Sequence, residues 1–119
     1  MNEKKTIKDW AADDRPREKM ISKGKAALSD SELLAILLRT GKAGQSAVDL
    51  ARAILKKAEN DLIKLSDLTL KELEDINGVG KAKAITIMAA LELGKRRRAA
   101  EAKLPKEIKD SQLTFERFI

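Results

Sequence analysis

The chain of 119 residues has no cysteine, no histidine and no tyrosine, and aromatic residues make up only 3% of it. Without cysteine there is neither a disulfide framework nor a thiolate metal site. Without histidine, a His general base and a histidine zinc ligand are excluded within these residues. The hydrophobic content is 43%, mostly Leu, Ile and Ala, which favours a helical bundle over a β-sandwich. The longest apolar run, Leu33 to Leu38, is far too short to cross a bilayer. No charged-then-apolar signal segment opens the chain. The expectation is one small all-α domain with a modest core, in the cytoplasm and away from membranes.

What is abundant is positive charge, and it is unevenly placed. Residues 81–109 hold nine Lys or Arg against three acids, Glu92, Glu101 and Glu107, which accounts for the whole net charge of +6. Such asymmetry suggests a polyanionic partner. The run Lys95 to Arg98 also suits a helix C-terminus, so it reads equally well as a solvated helix end or as a contact for DNA. Lys81 and Lys83 do not fit the bland reading. They stand where a helix begins, and the helix dipole disfavours cations there by roughly 0.3–1 kcal/mol. A bound phosphate would explain them.

They follow the most informative stretch, Leu73 to Ala84. Leu70, Leu73 and Ile76 recur at helical spacing before Gly78-Val79-Gly80, and Ala84, Met88 and Leu91 continue it afterwards. Thr69 with Glu72 is a capping-box signature. Gly78 is suited to end the first helix in a left-handed conformation, and Gly80 admits close approach of backbone or ligand. Val79 is expected to point inward despite its loop position. Lys81 and Lys83 are expected to face solvent. The backbone amides of Gly78, Val79 and Gly80, with the two lysines, then form a seat for a phosphate. This pattern resembles the helix-hairpin-helix motif, with Leu73, Ile76, Gly78, Val79, Gly80 and Ala84 in its slots. The resemblance implies a grip on DNA-backbone phosphates with no base readout.

Along the chain, residues 1–13 read as an extended polar arm carrying Trp10, the only tryptophan. Trp10 is expected to pin the arm to the bundle, with stacking on a base as the lesser alternative. Residues 14–98 read as the helical domain. Pro16 suits a first helical position, in a helix running to about Lys23. Asp13 and Asp14 read as acids near a helix start rather than metal ligands. Ser29 with Glu32 caps a second helix, and Ser46 caps a third. The helix opening at Lys81 is apolar on nearly all sides and is expected to be central. Residues 99–119 read as a basic linker and the start of a further domain. There is also an internal repeat. Ser29, Glu32, Leu33 and Ile36 echo Thr69, Glu72, Leu73 and Ile76 at an offset of forty. After the loop, Gly44 is matched to Gly80 and Val48 to Ala84 at an offset of thirty-six. The expected fold is therefore a compact four- to five-helix unit built from the hairpin motif and a degenerate second copy. In that unit Lys42 and the Gly41–Gly44 loop would lie near a second strand's phosphates; Arg96, Arg97 and Arg98, at the basic helix end, are further candidate DNA contacts.

Asp14 to Lys19, Leu28 to Leu38, Ile76 to Gly80 and Ala90 to Arg97 together resemble the N-terminal region of the bacterial RadC family. The resemblance implies a helix-hairpin-helix domain followed, in complete members, by a JAB/MPN-type domain with a metal site like that of zinc metalloproteases. Zinc is expected only in that second domain, and no cofactor or metal is expected in these residues. The chain is expected to be a piece of a longer member, ending about where the second domain begins. Some helix-hairpin-helix proteins are glycosylase/lyases with a lysine two residues after the second glycine. Here that slot is Ala82, and the first aspartate beyond the turn is Asp110, so no enzymatic activity is expected. The expectation is a monomeric module that binds duplex or branched DNA through backbone phosphates, and the family's name implies a link to repair or recombination. The alternative is a docking or regulatory domain for the chain's own C-terminal domain.

Overall fold

The computed structural model describes residues 7–106. Six α-helices run in order: α1 (Ile7–Lys23), α2 (Asp30–Leu38), α3 (Ala47–Lys57), α4 (Leu62–Asp67), α5 (Leu70–Glu74) and α6 (Lys81–Ala102). A short 3₁₀ turn, Lys25–Ala27, links the first two. Among the described residues there is no β-strand, only an isolated bridge between Lys42 and Gln45. The all-α expectation holds.

The chain divides into two compact units, residues 1–88 and residues 89–119. In the first, α3 is the central helix. Its N-terminus is closed by a capping box between Ser46 and Asp49, and Ala47, Leu50, Ala51, Ile54 and Leu55 are buried. Full burial of a side chain such as Leu50 or Ile54 contributes about 1.5–3 kcal/mol. α2 lies against α3 and buries Leu34, Ala35 and Leu38. Leu65, Leu73, Val79, Ala84 and Ile87 complete this core. The expectation that α6 is central is corrected. Ile85, Met88 and Leu93 of α6 are exposed, because its apolar residues surround the helix instead of forming one stripe that a single neighbour can cover.

The extended arm is also corrected, because α1 begins at Ile7 and passes straight through Pro16. Proline forgoes the N–H bond to the carbonyl four residues back, a cost of about 3 kcal/mol in an exposed helix. Tertiary packing overrides it here, since Pro16 is among the fully buried side chains. Asp13, on the same face, is 4% exposed and accepts a 2.7 Å hydrogen bond from the Ala47 N–H. Trp10 is 64% exposed, so it does not pin α1 to the bundle. At the other end, α6 continues to Ala102, past the expected helix end near residue 98. The segment from 107 onward, which includes the expected start of the further domain, lies outside the described residues.

Candidate nucleic-acid interface

The α5–α6 turn is built by a few local bonds. α5 ends at Glu74, and the Ile76 N–H donates to the Leu73 carbonyl at 3.1 Å. The Val79 N–H then donates to the Ile76 carbonyl at 3.0 Å, closing a four-residue turn. Gly78 sits third in that turn with φ +98°, while Asn77 before it does not have positive φ. This is the sign pattern of a type II turn, which asks for glycine at its third position. A side chain at Gly78 would also begin 3.2 Å from Leu50 Cδ1 of α3. Val79 is 4% exposed, so the inward-pointing plug is as expected. Its amide, however, is engaged within the turn, which removes it from the expected set of free donors.

α6 opens differently from α2, α3, α4 and α5. Ser29, Ser46, Asp61 and Thr69 each accept from amides of the helix that follows. The first helical bond of α6 runs from the Ala84 N–H to the Gly80 carbonyl, at 3.0 Å. Gly80 therefore holds the capping position and has no side chain with which to cap. The leading N–H groups of a helix lack intrahelical acceptors, and Gly80, Lys81 and Ala82 at this end are exposed. Space above Gly80 is open: an added Cβ would meet nothing within 4 Å. Lys81 beside it is exposed, and Ala84, one turn on, is fully buried.

Lys83 departs from expectation. Its ammonium donates to the Thr40 carbonyl at 2.6 Å and lies 3.4 Å from the Gly41 carbonyl. It is only partly exposed, because two carbonyls of the α2–α3 loop already receive it. That loop is tightly wedged, since a Cβ on Gly41 would stand 2.1 Å from the Gln45 carbonyl oxygen. The structure also places Lys42 beside the turn, with its Cδ 3.6 Å from where a Gly78 side chain would begin. Gly78, Val79, Gly80, Lys81, Lys83 and Lys42 are thus gathered in one place.

Arg96, Arg97 and Arg98 belong to the second unit. Arg96 pairs with Glu92 at 3.0 Å and Arg97 with Glu101 at 3.3 Å, both one turn apart on α6. Arg98 and Lys95 are exposed on that helix with no acidic partner among the described residues.

Two further features are not legible in the sequence alone. The first is Asp13, whose partner lies thirty-four residues away, beyond any local signal. The second is the true register of the repeat. The helices after the two turns start at Ala47 and Lys81, an offset of thirty-four and not thirty-six. In that register Gly44 matches Gly78, and both have positive φ, +77° and +98°. The Gln45 N–H to Lys42 carbonyl bond, 2.9 Å, matches the Val79 to Ile76 bond. Leu50 matches Ala84, and both are fully buried. Gln45 takes the place of the Val79 plug, which accounts for its buried Oε1 having no partner among the described residues.

No grouping of three or more acidic, His or Cys side chains that could hold a metal occurs among the described residues. No helix there is long and apolar enough to cross a membrane. No solved structure matches the chain significantly. A family model described as UPF0758 N-terminal matches residues 7–85. A UPF0758 protein of Flavobacterium johnsoniae is 49% identical over 109 residues, covering 92% of this chain and 47% of the relative. One of Trichlorobacter lovleyi is 54% identical over 92 residues, covering 76% of this chain and 40% of the relative. One of Thermotoga maritima is 46% identical over 96 residues, 81% of this chain and 43% of the relative. The chain thus spans less than half the length of these relatives. A family model across both turns and relatives of near-half identity lead to one conclusion: the chain belongs to the UPF0758 family, which is the RadC family under another name.

Proposed function

We propose that this chain is a DNA-binding module that grips backbone phosphates without reading sequence, through a helix-hairpin-helix motif at Gly78–Gly80. The observation that carries this reading is that α6 opens on Gly80, which has no side chain with which to cap it. Four helices before it are closed by their own side chains, whereas α6 opens on a glycine with clear space above it and an exposed lysine beside it. Backbone donors, a positive dipole end and a flanking cation are the elements of a phosphate site. Gly78, Gly80 and Lys81 form the seat around the buried Val79, Lys42 stands next to it, and Lys83 holds the adjoining loop. Arg96, Arg97 and Arg98 add positive charge on α6. In longer members of the family the module is joined to a metal-dependent JAB/MPN-like domain, and this part is not itself an enzyme. A role in repair or recombination follows from the same reading.

The test is titration of labelled duplex DNA in a salt series. Two to four neutralised phosphates give a slope of log affinity against log salt of about −2 to −4. Binding should be weak, about 10⁻⁴–10⁻⁶ M at physiological salt, and equal for unrelated sequences. Lys81→Glu should remove most of it without altering helicity. A salt-independent affinity, or a Lys81→Glu variant that binds like the parent, contradicts the reading.

A second reading, docking to the C-terminal half of the longer relatives, is favoured by the outward face of α1. Ile7, Trp10 and Ile21 recur there at helical spacing and are 91%, 64% and 87% exposed. On that reading Trp10→Ala abolishes association with the separately expressed C-terminal half of the F. johnsoniae relative and leaves the DNA titration unchanged.

A further inference from the structure

The two turns of the repeat share their backbone but differ in what occupies the helix start behind them. Each has a positive-φ glycine, the same closing hydrogen bond and a fully buried residue four places after the cap. Behind the second turn, Gly80 offers no cap and Lys81 is exposed. Behind the first, every device that could close a helix start is present. Ser46 accepts from the Asp49 N–H at 3.1 Å, and Asp49 accepts from the Ser46 N–H at 3.4 Å. The Asp13 carboxylate of α1 receives the Ala47 N–H at 2.7 Å. Ala47 is the counterpart of Lys81, yet it is fully buried, and the carboxylate over it is 4% exposed.

We propose that the first turn is a closed seat, with the Asp13 carboxylate standing where the second turn would take a phosphate oxygen, so that the module holds one nucleic-acid strand and not two. A phosphate reaching the first turn would have to displace a buried anion and would meet its negative charge on the way. The adjoining cleft, about 510 Å³, does not compensate, because Arg15 and Arg52 share it with Glu32 and Asp49. Asp49 already pairs with Arg52 at 3.4 Å, and Glu32 with Lys19 at 3.1 Å. The inference rests on the phosphate-binding reading of the second turn. It narrows the ligand to a single backbone strand, presented equally by single-stranded or duplex DNA.

The experiment compares one oligonucleotide, single-stranded and as its duplex, in parallel salt series with the full chain. Each neutralised phosphate contributes a slope of about −0.9 on duplex and about −0.7 on a single strand. Dividing by these constants should return the same number of phosphates for both ligands. Arg52→Glu, beside the first turn, should change duplex affinity less than about threefold, the scale expected of long-range charge alone. A duplex count higher by two or more, or a loss above about tenfold in Arg52→Glu, overturns the single-strand grip. Amide hydrogen exchange tests the closed seat without any ligand. The Ala47 amide should be strongly protected and the Lys81 amide fast. Fast exchange at Ala47 overturns the closed seat whether or not DNA binds. Failure of the parent to bind either ligand, with Ala47 protected, sinks the DNA-binding reading while leaving the closed turn standing.

Discussion

Glycine positions decide the turn region residue by residue, and they do so for different reasons. Gly78 is needed for its positive φ and for the closeness of Leu50. Gly41 is needed because its neighbours leave no room: a Cβ there would stand 2.1 Å from the Gln45 carbonyl oxygen. Gly80 is needed for neither, since it has no positive φ and open space around it. The space around Gly80 has room for a side chain, although glycine is also a favoured residue at a helix cap. Gly41→Ala should lose about 1–3 kcal/mol to overpacking. Gly80→Ala should lose no more than about 1 kcal/mol, because glycine outranks alanine at a helix cap while no neighbour is in the way. Chemical denaturation of the two variants checks this, and a Gly80→Ala as unstable as Gly41→Ala would contradict it. Val79→Ala should cost about 0.5–2.5 kcal/mol through lost packing under the turn.

Among elements, the helix starts are the most legible in the sequence, because their signals are local. Ser29 with Glu32 and Thr69 with Glu72 both form the reciprocal bonds that their spacing implies. α1 is not legible in the same way, because the rules for an isolated helix place proline at its start. Pro16 is carried mid-helix by burial against the rest of the unit, which no local rule contains. The repeat is visible in the sequence but falls two residues out of register when glycine is matched to glycine by type. The glycine that defines the turn is the one with positive φ, Gly44 or Gly78, and φ cannot be read from a letter. Nothing near Lys83 in the sequence reveals the bonds that its ammonium makes, because its acceptors, the Thr40 and Gly41 carbonyls, lie more than forty residues away.

The caps carry a pH dependence. The backbone N–H of Ser29, and then Lys19, hold the Glu32 carboxyl below its ordinary value of 4.5. The backbone N–H and the hydroxyl of Thr69 do the same for Glu72. A carboxylate with a lowered folded-state pKa stabilises the fold above its unfolded value, and that contribution is lost as pH falls through the lowered value. The melting temperature should therefore fall from about pH 5 downward, with less of a fall in the Glu32→Gln, Glu72→Gln double variant. Identical pH profiles for parent and variant would show that the capping carboxylates do not contribute.

At the scale of the whole molecule, the fold separates a well-buried bundle centred on α3 from a helix start that the bundle leaves open. The charge excess evident in the sequence begins at that start, with Lys81. The relatives are more than twice as long as the matched region, so the described bundle corresponds to less than half of such a protein. The central claim is that the open start of α6 receives a backbone phosphate. It is tested most directly by following backbone amide resonances of the full chain while a short duplex is added at low salt. The account predicts the largest shifts at Gly78, Gly80, Lys81 and Ala82, with Ala47 and Asp49 behind the closed first turn nearly unmoved. Saturable DNA binding that leaves the Gly80 and Lys81 amides in place would contradict it.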